Sequence, residues 1–92
     1  MRKLILLKEM DENALRAALS IEDAAVVLMQ DAVHLARESP LLAEAFNKRT
    51  IYVLGVDAGR RGLDAESMKG LRSLSYSELV DLMFSGVQVI NL

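Results

Sequence analysis

No cysteine occurs anywhere in the 92-residue chain, and that absence excludes disulfides, thiolate metal sites, thiol nucleophiles and persulfides together. It also leaves the redox compartment unreadable from cysteine usage. Aromatic residues make up 4% of the chain against 52% apolar residues, so the core has to be aliphatic and rich in alanine. A single histidine, with no cysteine to help it, argues against a zinc site. Basic residues form no block, the formal charge is −2 and the pI is near 5.3, which disfavours direct nucleic-acid binding and a polybasic lipid patch. The apolar run Leu4–Leu7, between Lys3 and Lys8, is too short for a signal peptide and far too short for a membrane span. The expectation is a soluble, cytoplasmic protein without a membrane association.

The length fits a single domain over residues 1–92 and is too short for two independent cores. A domain of this size buries roughly 60 to 70% of the surface of its unfolded chain, so its stability margin is modest. A mean hydropathy of +0.23 is high for so small a body, which has much surface to cover with polar groups. Part of the apolar surface is therefore expected between subunits of a homo- or hetero-oligomer.

Short apolar runs alternate with helical patterns along the chain. Leu4–Leu7 and Ala24–Met29 read as strands buried on both faces, with Ala24–Met29 central, and the β-branched and aromatic Thr50–Leu54 as a third strand ending at Gly55. Leu71–Leu74 and Val87–Ile90 complete a set of five. Asp11 is placed to cap a helix with the apolar stripe Ala14, Leu15, Ala18 and Leu19, and Glu12 and Arg16 stand at pairing distance on its other side. Asp31, and then Ser39 with Pro40, start a broken helix whose apolar side continues through Leu41, Leu42, Ala45 and Phe46. Asp57 is a cap candidate for a short helix stopped by Gly62, and 63–70 reads as a polar loop. Ser75-Tyr76-Ser77-Glu78 fits the S-x-x-E capping box ahead of the apolar residues Leu79, Val80, Met83 and Phe84. This order predicts an α/β fold, a three-layer α/β/α arrangement around a mostly parallel five-stranded sheet with right-handed crossovers.

In an open α/β sheet, ligands gather beyond the carboxyl ends of the strands. Here that rim includes Gln30 and Asp31, then Gly55 to Asp57, then Ser75 and Tyr76. Capping is the commoner role of Asp31, Asp57 and Ser75. His34 lies three residues after Asp31, the spacing of an acid/base pair, although nothing nearby supplies a nucleophile for it to activate. No serine stands in a G-x-S-x-G context, and 55–62, although glycine-rich, matches neither G-x-G-x-x-G nor a P-loop. Lys48-Arg49 and Arg60-Arg61 are the basic pairs, suited to an acidic partner or simply to solvent.

Three segments in order, 22–33, 51–63 and 74–82, resemble the DsrH/TusB family of the DsrE/DsrF/DsrH superfamily. The family pattern is a strand ending in acceptor-Asp-Gly/Ala, a second strand leading to Asp and then Ala-Arg-Gly, and a Tyr before an amphipathic helix. Asp31, Asp57, Arg61, Gly62 and Tyr76 fall on those marks. The resemblance implies a DsrE/F/H-like fold. It also implies a small subunit that associates with DsrE/TusD-like and DsrF/TusC-like partners in a sulfur relay, which in the Tus branch feeds 2-thiolation of the tRNA wobble uridine. Ala17, Ala18 and Leu19 occupy the region where the Dsr branch carries a cysteine, and the C-terminal tryptophan of the family is replaced by Val89-Ile90-Asn91-Leu92. The chain thus sides with the cysteine-free branch.

The resulting expectation is a non-catalytic relay subunit without a cofactor or metal, whose ligand or partner contacts are Gln30, Asp31, Asp57, Arg61 and Tyr76. The alternative is a stand-alone homo-oligomeric binder of a small ligand at the strand-end rim. A third reading is an enzyme using Asp31 and His34 as acid and base.

Overall fold

In the computed structural model, which describes residues 1–45, 48–64 and 70–92, the apolar runs form one sheet. Its strands are β1 (Lys3–Leu7), β2 (Ala24–Leu28), β3 (Ile51–Leu54), β4 (Leu71–Leu74) and β5 (Gln88–Asn91). Their order is β4-β3-β2-β1-β5, and every neighbouring pair is parallel. β2 is central, as its unbroken Ala-Ala-Val-Val-Leu run predicts, and all five of its residues are buried. A parallel sheet has to be covered on both faces, and a strand with only apolar residues meets that condition.

The helices are α1 (Glu12–Ser20), α2 (Leu35–Glu38), α3 (Pro40–Ala45), α4 (Gly55–Arg60) and α5 (Tyr76–Met83), with a 3₁₀ turn over Gln30–His34 leading into α2. The chain steps from β1 to β4 in one direction across the sheet and then returns past β1 to place β5. With right-handed crossovers, a reversal of direction puts the next helix on the opposite face. The cores follow that rule. Leu15, Ala18, Val33, Leu35, Leu42 and Ala58 pack with Ile5, Val26 and Val53 on one face, whereas Leu79 alone of the fully buried helical residues joins Leu4, Val27 and Leu54 on the other. The layering is therefore unequal, with α1 to α4 on one side and α5 on the other.

Local signals are borne out at three helix starts. Asp11 accepts hydrogen bonds from the N–H groups of Asn13 and Ala14, and Ser75 with Glu78 forms the reciprocal capping box. Pro40 is the first residue of α3, where its missing N–H costs nothing. Other expectations need correction. Glu12 and Arg16 form no ion pair among the described residues; bridges are formed at the amino terminus and between Arg61 and Asp31. Leu63 is not loop surface but 6% exposed, folded into the larger core, its N–H donating to Ala58 O at 2.9 Å. The rest of the expected loop, 65–69, and Phe46 lie outside the described residues. Arg49 is no docking cation. Its guanidinium donates to the carbonyls of Leu19 and Ile21, where α1 ends.

Candidate functional site at the strand ends

The connection after β3 runs over one face of the sheet and the connection after β4 over the other, so the carboxyl ends of these neighbouring strands form the switch point where an α/β sheet opens a crevice. Two adjoining clefts lie there. One, of about 600 Å³, is lined by Gln30, Asp57, Arg60, Arg61 and Tyr76. The other, of about 520 Å³, runs from Gly55 and Val56 to Ser75, Tyr76 and Glu78. Tyr76 borders both.

Four of the five residues expected at the rim are joined by hydrogen bonds. Asp57, 7% exposed, accepts from the backbone N–H of Gln30 through Oδ2 at 2.7 Å. Gln30 has φ +49, a left-handed conformation that a side chain with Cβ disfavours, and the carboxylate from α4 holds it. Arg61 donates from Nε to Asp31 Oδ1 at 3.0 Å and from a terminal nitrogen to the Asp57 carbonyl at 3.1 Å. The end of β2 is thereby tied to α4, across about thirty residues of sequence. Tyr76 faces the same cleft from the start of α5 and is 61% exposed.

Neither aspartate is the helix cap that its position suggests. The 3₁₀ turn begins after Met29 and α4 after Leu54, both without a side-chain cap, because Asp31 is directed to Arg61 and Asp57 to Gln30. His34 is half-buried on the 3₁₀ turn, and the hydrogen bond of Asp31 goes to Arg61 instead. No acid/base pair is assembled. Among the described residues no cluster of three or more His, Asp or Glu is placed to hold a metal ion.

Arg60 stood in the sequence as a basic pair with Arg61, suited to an acidic partner or to solvent, but not among the residues expected to contact a ligand at the rim. It is exposed and lines the cleft that Arg61, spent on Asp31 and Asp57, leaves open. Val56, Val80 and Phe84, at 41%, 43% and 85% exposure, were also missed as surface residues. The signal was present in the width of the apolar arc on α5, which exceeds what one contact with a sheet uses.

A small, all-parallel α/β domain with a polar cleft at its switch point and no thiol is the class that fold and site define. The DsrH-like protein family matches residues 9–89, and the chain belongs to it. No curated protein matches the sequence significantly. The crystal structure of the ychN protein from E. coli is similar in fold, with a TM-score of 0.76 over 100% of both chains and 18% identity. No helix among the described residues is long and apolar enough to cross a membrane.

Proposed function

We propose that the chain is a non-catalytic subunit of a sulfur-relay complex, assisting persulfide transfer on cysteine-bearing DsrE/TusD-like and DsrF/TusC-like partners, with 2-thiolation of the tRNA wobble uridine as the end point. The observation that carries this reading is membership of the DsrH-like family over residues 9–89 in a chain with no cysteine. Such a chain can shape or shield a relay site but cannot bind sulfane sulfur covalently. The polar groups of the strand-end cleft support a structural role as well, since Asp57, Asp31 and Arg61 are already engaged with one another or with backbone. That engagement weighs against the stand-alone ligand binder, whose site would need free polar groups.

The test is reconstitution with a cysteine desulfurase, labelled cysteine and the purified DsrE-like and DsrF-like subunits. The expected result is a 1:1 association with them, a mass gain of one sulfur on the DsrE-like partner and none on this chain. Failure to associate with either subunit, or a stable sulfur adduct on this chain, would overturn the proposal.

A further inference from the structure

β5 is an outer strand of the sheet, and among the described residues it pairs only with β1. On that side the Gln88 N–H donates to Arg2 O at 2.9 Å and the Leu92 N–H to Leu6 O at 3.1 Å. Backbone groups alternate in direction along a strand, so Ile90 turns the same way, and the N–H and C=O of Val89 and Asn91 point outward. The outer side of β5 is thus a free row of donors and acceptors, a template for another strand.

Such an edge is ordinarily guarded by a charge, a proline or a bulge. The opposite edge has a guard in Arg72, exposed on β4. Val87-Gln88-Val89-Ile90-Asn91-Leu92 has none: it contains no charged residue and no proline, and its register against β1 runs without a bulge. Val89 and Ile90 are β-branched and only half-buried, and Leu92 is 45% exposed.

A second copy of the chain satisfies this edge. In antiparallel pairing about a two-fold axis at Ile90, Val89 of each copy faces Asn91 of the other, and both N–H groups of such a pair meet both carbonyls. The strands bring no like charges together, since they have none. Arg2 and Lys3 border the start of β5, and the antiparallel arrangement sets these cations of the two copies at opposite ends, where a parallel one would place them side by side. With Arg72 on the other edge, pairing closes at two copies and does not propagate.

We propose that the outer edge of β5 is a self-association face, through which two copies of this chain join their sheets antiparallel into one continuous sheet. Each strand-end cleft, on the β3–β4 side of its own sheet, stays uncovered.

Light scattering and amide hydrogen exchange on the full chain test it. At tens of micromolar the wild type is expected at twice the 10.2 kDa chain mass, with the Val89 and Asn91 amides protected and that protection falling on dilution. Asn91→Pro removes only an outward donor, which an edge strand tolerates, and keeps the bonds to β1. It is expected to weaken dimerisation at least about tenfold, whereas Asn91→Thr, which retains the N–H, stays dimeric. A monomeric wild type, a dimer that survives Asn91→Pro, or assembly beyond two copies overturns the proposal and leaves the relay reading standing. If Asn91→Pro does not fold, exchange in the wild type decides: outward amides that exchange freely in the dimer place the contact elsewhere and overturn the edge pairing, and amides that open only on dilution support it.

Discussion

The buried carboxylate of Asp57 accepts the backbone N–H of Gln30 at 2.7 Å, joining the end of β2 to the first turn of α4. This bond satisfies a donor at a strand end and stabilises a backbone that Gln30 alone would not favour. The N–H is part-buried, and Asp57→Ala removes its charged acceptor, a hydrogen bond that contributes roughly 1.5–3 kcal/mol. At roughly 4–8 °C per kcal/mol for a domain of this size, a thermal melt should fall by at least several degrees. Asp57→Asn, which keeps an acceptor oxygen, should lose less than half as much. A melting temperature unchanged by Asp57→Ala would show that the bond contributes nothing.

At Gln30 itself the sign reverses. With φ +49 the residue occupies the left-handed region, which costs an L-residue roughly 1–2 kcal/mol and glycine almost nothing. Glycine adds entropy to the unfolded chain, which offsets up to about 1 kcal/mol of the gain. Gln30→Gly should therefore be neutral to stabilising, and Gln30→Val strongly destabilising because a β-branched side chain fits that region worst. Urea unfolding of the two variants checks the ordering. Equal stability would deny the strain.

The sheet was readable because Leu4–Leu7 and Ala24–Leu28 are unbroken apolar runs, and only a strand covered on both faces tolerates that composition. β5 was displaced by one residue, to Gln88–Asn91, because an edge strand with a half-exposed pattern has no sharp ends in sequence. Asp31 and Asp57 lie at the rim where strand order and resemblance put them, and Ser75 caps α5 as read, yet neither aspartate is a cap. A capping aspartate and an aspartate that locks a distant loop look identical in sequence, and the difference lies in Arg61 and Gln30, thirty and twenty-seven residues away. The exposed flank of α5 escaped for a related reason. Leu79 and Val80 are equally apolar, and only the line of the crossover from β4 to β5 decides which meets the sheet.

Asp31 and His34 separate the scaffold from the enzyme reading. Asp31 is 70% exposed in its side chain and pairs with Arg61, and an exposed pair of this kind contributes about 0–1 kcal/mol. Asp31→Ala should thus lower stability by less than the loss of a helix cap, and His34→Ala should be nearly silent. Partner binding should survive His34→Ala. Loss of function at His34, with an unchanged melt and unchanged partner binding, would reinstate the catalytic pair.

The capping box of α5 gives stability a pH dependence of known sign. The N–H of Ser75 donates to Glu78 Oε1 at 2.9 Å while the N–H of Glu78 donates to Ser75 Oγ at 3.1 Å. The backbone hydrogen bond from Ser75, followed by its side-chain bond, holds the Glu78 carboxyl below its ordinary value of 4.5. A carboxyl with a lowered folded pKa binds fewer protons folded than unfolded, so its contribution is complete above the unfolded value and is lost as pH falls through the folded one. Glutamine at the same position keeps an acceptor but no charge. Melts of wild type and Glu78→Gln should then differ by a constant amount between pH 6 and 8, roughly the range well above carboxylate titration. The difference should shrink once pH drops below about 4.5, as Glu78 protonates and the two side chains become equivalent. Comparing the pair cancels the acid sensitivity of the other carboxylates, which both proteins share. A difference that persists undiminished to about pH 3 would mean that the charge of Glu78 plays no part in holding the helix.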